Sequence, residues 1–386
     1  MDGSRSRWWS RPGKTRLPPP LPIRLPAGSR AGKTFGLIPA RPPSPRPANP
    51  RPPATASVPG PWSTWAFTPS KPDKDSIMTM CTIASGAKHG LRYVKETTPG
   101  TTPASPAMTE LNHNSCSLTL TRDTFTSNAL RHDRQIPFHR TGVDKIAGDI
   151  AFEFGAKEYD PFLEAALAGN WTENVLKAGV AVHAFTLERA FTNINQYATY
   201  TGCFVNQFSL SVKPNEMLSG TLSIIGLSGE RGTTPLAASP TPAGETDPFD
   251  SFKGSLKIDN QAIAVVTGID LTLANGIEPQ YAIFDRSAKA VSWGRSTLTG
   301  TLSAFYVDGN LPGMFINDSR VKLEFTFERG EYSYTFLIPS ITLTGADDSV
   351  QSEGPIQLNV PWSAALDATL GTNFQITRTV PAEPGA

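Results

Sequence analysis

The sequence predicts a mainly β protein: two related antiparallel β-sandwich or half-barrel units, each with a flanking helix or helical turn, behind a disordered Pro/Arg-rich N-terminal segment. Three observations carry this expectation. A series of landmarks occurs twice in the same order, apolar residues alternate with period two in run after run beyond residue 80, and charge and proline content change sharply near that same residue.

The landmarks begin with Asp133-Arg134 and Asp285-Arg286. In each case a glycine, Gly148 or Gly300, stands 14 residues after the arginine. Pro161 follows Gly148 by 13 residues and Pro312 follows Gly300 by 12. Thr186-Leu187-Glu188-Arg189 then corresponds to Thr326-Phe327-Glu328-Arg329. Each copy closes on two alternating runs: Phe208, Leu210, Val212 with Leu222, Ile224, and Ile341, Leu343 with Ile356, Leu358, Val360. Ordered self-similarity of this kind marks a duplicated structural unit, which suits a ring wall or an array better than a single catalytic pocket. The division expected is 1–79 as an extension, 80–244 as the first unit and 245–386 as the second.

Net charge over the 386 residues is +1, but residues 1–79 carry 13 Lys/Arg against 3 Asp/Glu. That leaves 22 basic and 31 acidic residues beyond them, so a segment of net +10 precedes a body of net −9. Eighteen of the 35 prolines also precede residue 80; a donor-poor chain such as Arg41-Pro42-Pro43-Ser44-Pro45-Arg46-Pro47 can build neither helix nor ladder. Ala27 to Thr34 matches a permissive phosphate-loop pattern, but the prolines in Leu21–Pro26 forbid the strand that such a loop needs. The Pro-Arg tract also has the look of a polyproline ligand. Met78 and Met80 sit at the boundary and are candidate starts of a shorter chain.

In the body, Val321, Leu323, Phe325 and Phe327 share one face of a strand. Gly330 supplies the turn, and Tyr332, Tyr334, Phe336 and Ile338 return on a second strand. Leu118 and Leu120, then Ile150, Phe152 and Phe154, then Ile269, Leu271 and Leu273 read the same way. A helix is expected where Asp160 caps, Pro161 opens the first turn, Phe162, Leu163, Ala166 and Leu167 form the stripe, and Gly169 stops it. Its counterpart, Pro312 to Asp318, is expected to be about one turn. Leu227 to Phe249, rich in Gly, Pro, Thr and Ser, is expected as the loop joining the copies.

No catalytic constellation is visible, and no cofactor or metal is expected. Cys81, Cys116 and Cys203 have no ligand or disulfide spacing. His132 and His139 lie in a loop without a carboxylate or cysteine partner, and Asp347-Asp348 with Glu353 lacks the spacing of a calcium loop. No apolar run is long enough to cross a membrane as a helix. The residues singled out are Asp133, Arg134, Asp285 and Arg286, with Arg131 and Arg140 in the same basic loop, as candidate inter-unit contacts. They are read either as a repeated interface ion pair or as a turn feature of each unit. A two-domain β-sandwich adhesin or carbohydrate-binding protein, or a β-sandwich enzyme acting on carbohydrate, are the alternative classes. The enzyme would need two convergent carboxylates near aromatic platforms.

Several whole stretches carry a family resemblance. Gly86-Ala87-Lys88-His89-Gly90-Leu91-Arg92-Tyr93-Val94-Lys95-Glu96 running on to Thr102-Pro103, Leu130 to Ile136 with Gly148-Asp149-Ile150, Tyr159 to Trp171, Thr201 to Asn206 and Ser209 to Val212 resemble the tail tube proteins of long, non-contractile-tailed phages, notably the chi-like group. The resemblance covers about residues 83–386. It implies a virion tail protein, made and assembled in the bacterial host cytoplasm, whose sandwich units join into rings that stack into a tube. Its partners would be copies of itself and the tape measure, terminator and distal tail proteins. DNA would pass through the lumen without specific binding, as an acidic wall favours. Rings of this family need six units, so a duplicated chain implies a trimer with approximate sixfold symmetry.

Overall fold

The computed structural model describes residues 83–263, 265–350 and 353–381. The Pro/Arg-rich stretch 1–79, with its Ala27–Thr34 match, its polyproline reading and the candidate starts at Met78 and Met80, lies outside the described residues.

A 3-10 turn, Gly86–Lys88, leads into β1 (His89–Glu96). Two short pieces, β2 (Thr109–Glu110) and β3 (Ser115–Cys116), precede β4 (Thr119–Thr126) and β5 (His139–Glu153). Helix α1 (Asp160–Leu167) is followed by β6 (Val175–Lys177), β7 (Ala184–Phe191), the 17-residue β8 (Gln196–Val212), β9 (Ser219–Gly226) and β10 (Ser228–Gly232). Then come β11 (Gly254–Ile258), β12 (Gln261–Ala262), β13 (Val266–Ala274), β14 (Glu278–Gln280), β15 (Ala290–Ser292) and β16 (Thr297–Phe305). Helix α2 (Asn310–Ile316), β17 (Arg320–Arg329), β18 (Tyr332–Leu343), β19 (Gln357–Ala364) and β20 (Gln375–Thr379) complete the chain.

The protein is mainly β and antiparallel, as its period-two patterning predicts. Neighbouring strands run β4-β5-β9-β8-β7-β1 in the first half. In the second they run β13-β16-β19-β18-β17-β11. Strand β10 adds to the N-terminal part of β8, and β20 adds to the N-terminal part of β18. The two orders match strand for strand, with α1 and α2 in equivalent connections. Gly148 opposes Ile224 and Gly300 opposes Trp362 at the same place in the two sheets. Both glycines are packing requirements. A Cβ on Gly148 would lie 2.4 Å from the Leu118 backbone, and one on Gly300 would lie 2.3 Å from the Trp362 ring.

The Val321–Phe327 and Tyr334–Ile338 faces pair as read, with Phe325 opposite Phe336 and a two-residue loop in which Gly330 has φ +58°. The helices differ from expectation. Asp160 does not cap α1; it is the first helical residue, and its carboxylate turns inward to Tyr334 and Arg378. Ala168, not Gly169, takes the left-handed stop at φ 47°. Gly169 is needed for a different reason, since a Cβ there would come within 2.1 Å of the Lys177 carbonyl. Helix α2 has seven residues, one fewer than α1, and begins two residues before Pro312. The Asp308 carboxylate, which accepts from the Asn310 N–H at 3.0 Å, accounts for the earlier start. The stretch expected as a joining loop from Leu227 begins as a strand, β10, laid on β8.

Strand β8 belongs to two sheets. Its first part lies between β7 and β10, its last part between β9 and β13. The change of direction is made at Gly202, φ +60°, whose N–H is held by the buried Glu96 carboxylate at 2.9 Å. Glu96 also accepts from Thr186 Oγ1 at 2.7 Å and the Gly100 N–H at 2.6 Å, so the buried charge is fully hydrogen-bonded. One hydrophobic core, from Leu91 to Ile376, runs through both halves.

Gly202→Ala therefore places a side chain at a left-handed position and against Leu227, 2.6 Å away. The expected loss is about 2 kcal/mol in denaturant unfolding. Gly232→Ala, in open space at the end of β10, should stay within about 0.5 kcal/mol of the parent.

Candidate assembly interface

Sheet edges expose unpaired N–H and C=O groups, so where a β protein pairs or leaves its edges determines what it can join. The two halves of this chain are joined edge to edge. Gln207–Val212 of β8 pairs antiparallel with Ile269–Ala274 of β13, Leu210 facing Leu271 and Phe208 facing Leu273. A buried polar node adds a second tie. Tyr334 donates to Asp160 Oδ1 at 2.8 Å, and the Lys157 N–H donates to Tyr334 Oη at 3.0 Å. Arg378 of β20 pairs with the same Asp160 carboxylate while its guanidinium lies 4.2 Å over the Trp171 ring. Burial pushes the Asp160 carboxyl up despite Arg378, and pushes the Tyr334 hydroxyl well above its ordinary value.

The third contact is an arm. Residues 275–296 leave β13, form the β14–β15 ribbon and return to β16. The arm lies on the first half: Ile277 and Ala288 are buried with Ala184, Phe204 and Leu227, and Tyr281, Val291 and Trp293 pack beside them. Its backbone is anchored at several points. The Ala288 N–H donates to the Leu227 carbonyl at 3.2 Å, the Asp144 N–H to the Arg286 carbonyl at 2.9 Å, and Tyr281 Oη to the Asp144 carbonyl at 2.9 Å.

The matching arm of the first half, residues 122–144, is built from the end of β4, the connecting loop and the start of β5. Asp133-Arg134 occupies the same place on it as Asp285-Arg286 does on the second. Each aspartate caps the residue two further on, Gln135 N–H at 3.2 Å and Ser287 N–H at 3.0 Å. Within the chain the carboxylates pair elsewhere: Asp133 with Arg131 and Asp285 with Lys289, in both cases holding the carboxyl below its usual range. Arg140 stands at the start of β5 opposite Phe125. Phe125, Leu130, Ile136 and Phe138 on this first arm are all exposed.

The charges of the first arm are the conspicuous feature of its sequence, but the exposed Leu130, Ile136 and Phe138 set among them are the signal of a contact surface. A chain of imidazoles, which no sequence pattern announces, leads off β1. Arg189 can only donate, at 3.1 Å to His89 Nε2, so His89 Nδ1–H donates to His113 Nε2 at 2.8 Å and His113 Nδ1–H to the Leu111 carbonyl. His132 and His139 both lie on the exposed first arm. Asp347 caps Ser349 in a turn. Among the described residues no group of three or more His, Cys, Asp or Glu is placed to hold a metal ion. No helix among them is long and apolar enough to cross a membrane.

Strand addition, a buried polar node and a clasping arm thus hold the two halves of this antiparallel protein together. The model of the phage tail tube protein family matches residues 86–364, and the chain belongs to that family, a class of structural components of the virion tail. The match covers both halves and leaves the adhesin and carbohydrate readings without support. No curated protein matches the chain.

Burial first, then Arg189 and His113, lower the His89 pKa from 6.5 to about 4. The unfolded chain binds this proton near pH 6.5 and the folded one does not, so stability is full above that pH and declines as pH falls toward 4. After allowance for partial exposure the loss is about 2 kcal/mol. Thermal melts of His89→Gln should lose correspondingly less between pH 6.5 and 4; an unchanged pH slope would count against a neutral His89.

Proposed function

We propose that this chain is the tail tube subunit of a long, non-contractile-tailed phage of the chi-like type, and that three chains close one ring of six sandwich units. The observation that carries the reading is the β8–β13 joint between two matched halves. A chain whose two halves are already joined by one edge-to-edge pairing has equivalent edges left at its ends. In the first half the counterpart of Ile269–Ala274 is Cys116–Thr121, since Leu120 and Leu273 face the same positions of β5 and β16. In the second half the counterpart of Gln207–Val212 is Gly345–Val350, since Asp347 opposes Asn359 as Ser209 opposes Thr221. Pairing Gly345–Val350 of one chain with Cys116–Thr121 of the next repeats the internal joint. Such a head-to-tail contact closes a ring when six units complete the turn.

The rings stack into the tube, in contact with the tape measure, terminator and distal tail proteins, and assemble in the host cytoplasm. The body from residue 80 onward carries a net charge of −9, which suits a lumen through which DNA slides without a binding site. Asp133, Arg134, Asp285, Arg286, Arg131 and Arg140 act in contacts between units and between chains, the first arm making the second arm's contact across the chain boundary.

Electron cryo-microscopy of the assembled tube, with mass per ring, tests this reading. Three chains per ring, threefold outside and nearly sixfold at the lumen, are expected; six chains per ring would overturn it. Titration of tubes with duplex DNA at low salt should give no sub-micromolar, salt-sensitive binding.

A further inference from the structure

The two arms occupy equivalent places in the two halves but are in opposite states. The second arm is covered: Ala288 is 6% exposed and sits over Leu227, itself 6% exposed. The first arm has Ile136 where the second has Ala288, and Ile136 is 68% exposed, with Leu130 fully in solvent. The surface equivalent to Leu227 on the second half is Ala365. The Ala365 N–H bonds the Ser340 carbonyl as the Leu227 N–H bonds the Thr201 carbonyl, each at the bend that follows the matched strands β19 and β9. The next residue, Leu366, is 68% exposed.

From this juxtaposition we infer that the first arm, residues 122–144, is a clasp for a second copy of this chain, laid over the Thr342, Ala365 and Leu366 surface of the neighbour in the same ring. The inference rests on the ring reading above. The occupant is fixed by the cis contact that serves as its template. Side-chain volumes are exchanged between arm and surface. In cis a small Ala288 meets a large Leu227; across the boundary a large Ile136 meets a small Ala365. Phe125 on the arm likewise answers Thr342 where Ile277 and Phe204 cluster in cis. A swap of this kind keeps the filled volume constant while making each joint accept its own arm better than the other. The backbone anchor has a counterpart as well: Ser296, exposed, stands in the second half where Asp144 stands in the first, so its N–H meets the Arg134 carbonyl as the Asp144 N–H meets that of Arg286. Charge agrees in sign. Arg131, Arg134 and Arg140 approach a half whose outer edge carries the exposed Asp347 and Asp348.

The test is disulfide trapping in assembled full-length protein. Ile136→Cys with Ala365→Cys places two thiols where backbone partners stand at roughly the Cα separation a disulfide spans. Oxidation should give covalent dimers and closed trimers on a non-reducing gel, and neither single-cysteine variant should do so. The control pair, Leu227→Cys with Ala288→Cys, should crosslink within one chain and give no ladder. A second variant, Leu130→Ser, Ile136→Ser and Phe138→Ser together, should keep the parent melting temperature, because all three side chains are exposed, and lower ring yield roughly tenfold. Rings seen by microscopy without the trapped ladder would overturn the clasp and leave the ring reading standing. The serine variant forming normal rings that fail to stack would also overturn it, since the arm would then act between rings. Protein that stays monomeric in every variant, with no ladder, would overturn both.

Discussion

The structure depends on where the edges of its sheets find partners. A β-strand must satisfy hydrogen-bonding groups on both sides, and β8 does so with four different neighbours along its 17 residues. It manages this by bending at Gly202, and the bend is secured by a carboxylate that the fold buries for the purpose, Glu96. Past the bend, β8 has one edge left over, and the second half supplies β13 to cover it. The common core, the node of Asp160 with Tyr334 and Arg378, and the clasping arm all depend on that pairing being in place. The halves consequently share one core, with aromatic contacts such as Phe154 against Tyr334 and Phe336 crossing between them.

Much of this was legible in the residues. Alternation marked the strands because one face of each is buried, and the landmark glycines marked matched positions because Leu118 and Trp362 press on them. The limits were equally physical. Period two says which face of a strand is buried but not which strand lies beside it, so Gln207–Val212 and Ile269–Ala274 gave no sign of pairing. The inward turn of Asp160 depends on Tyr334 and Arg378, more than 170 positions away. A cap predicted from neighbours alone could not anticipate that competition. The Asp-Arg pairs were conspicuous as a repeated motif, yet their carboxylates serve local turns and nearby cations, and the contact made in cis comes from the Arg286 carbonyl, which no side-chain pattern reveals.

The two halves also show how duplicated sequence diverges under a shared topology. The first half buries Arg92 against Glu188 at 3.1 Å across β1 and β7; across the matched strands β11 and β17, Lys257 pairs with Glu324 at 3.3 Å in a more exposed setting. Both keep a cross-strand ion pair while changing how deeply the charges are buried, and the two Thr-x-Glu-Arg landmarks fall at different places along β7 and β17. Retained backbone geometry with altered side-chain partners is the expected course when packing constrains the sheet and the environment of each half differs.

One consequence of the internal β8–β13 joint concerns the order of assembly. For the ring proposed above, six separate units would need a sixth-power dependence on concentration to close, each docking paying its own loss of rotational and translational freedom. A chain that carries one joint within itself makes half of those contacts as it folds, at an effective concentration set by its own connecting segment and not by the amount of protein in the cell. Ring formation from such chains scales with the third power. In the proposed ring, a duplicated subunit thus begins to close at far lower abundance than its single-unit equivalent, and partial rings would hold only even numbers of units.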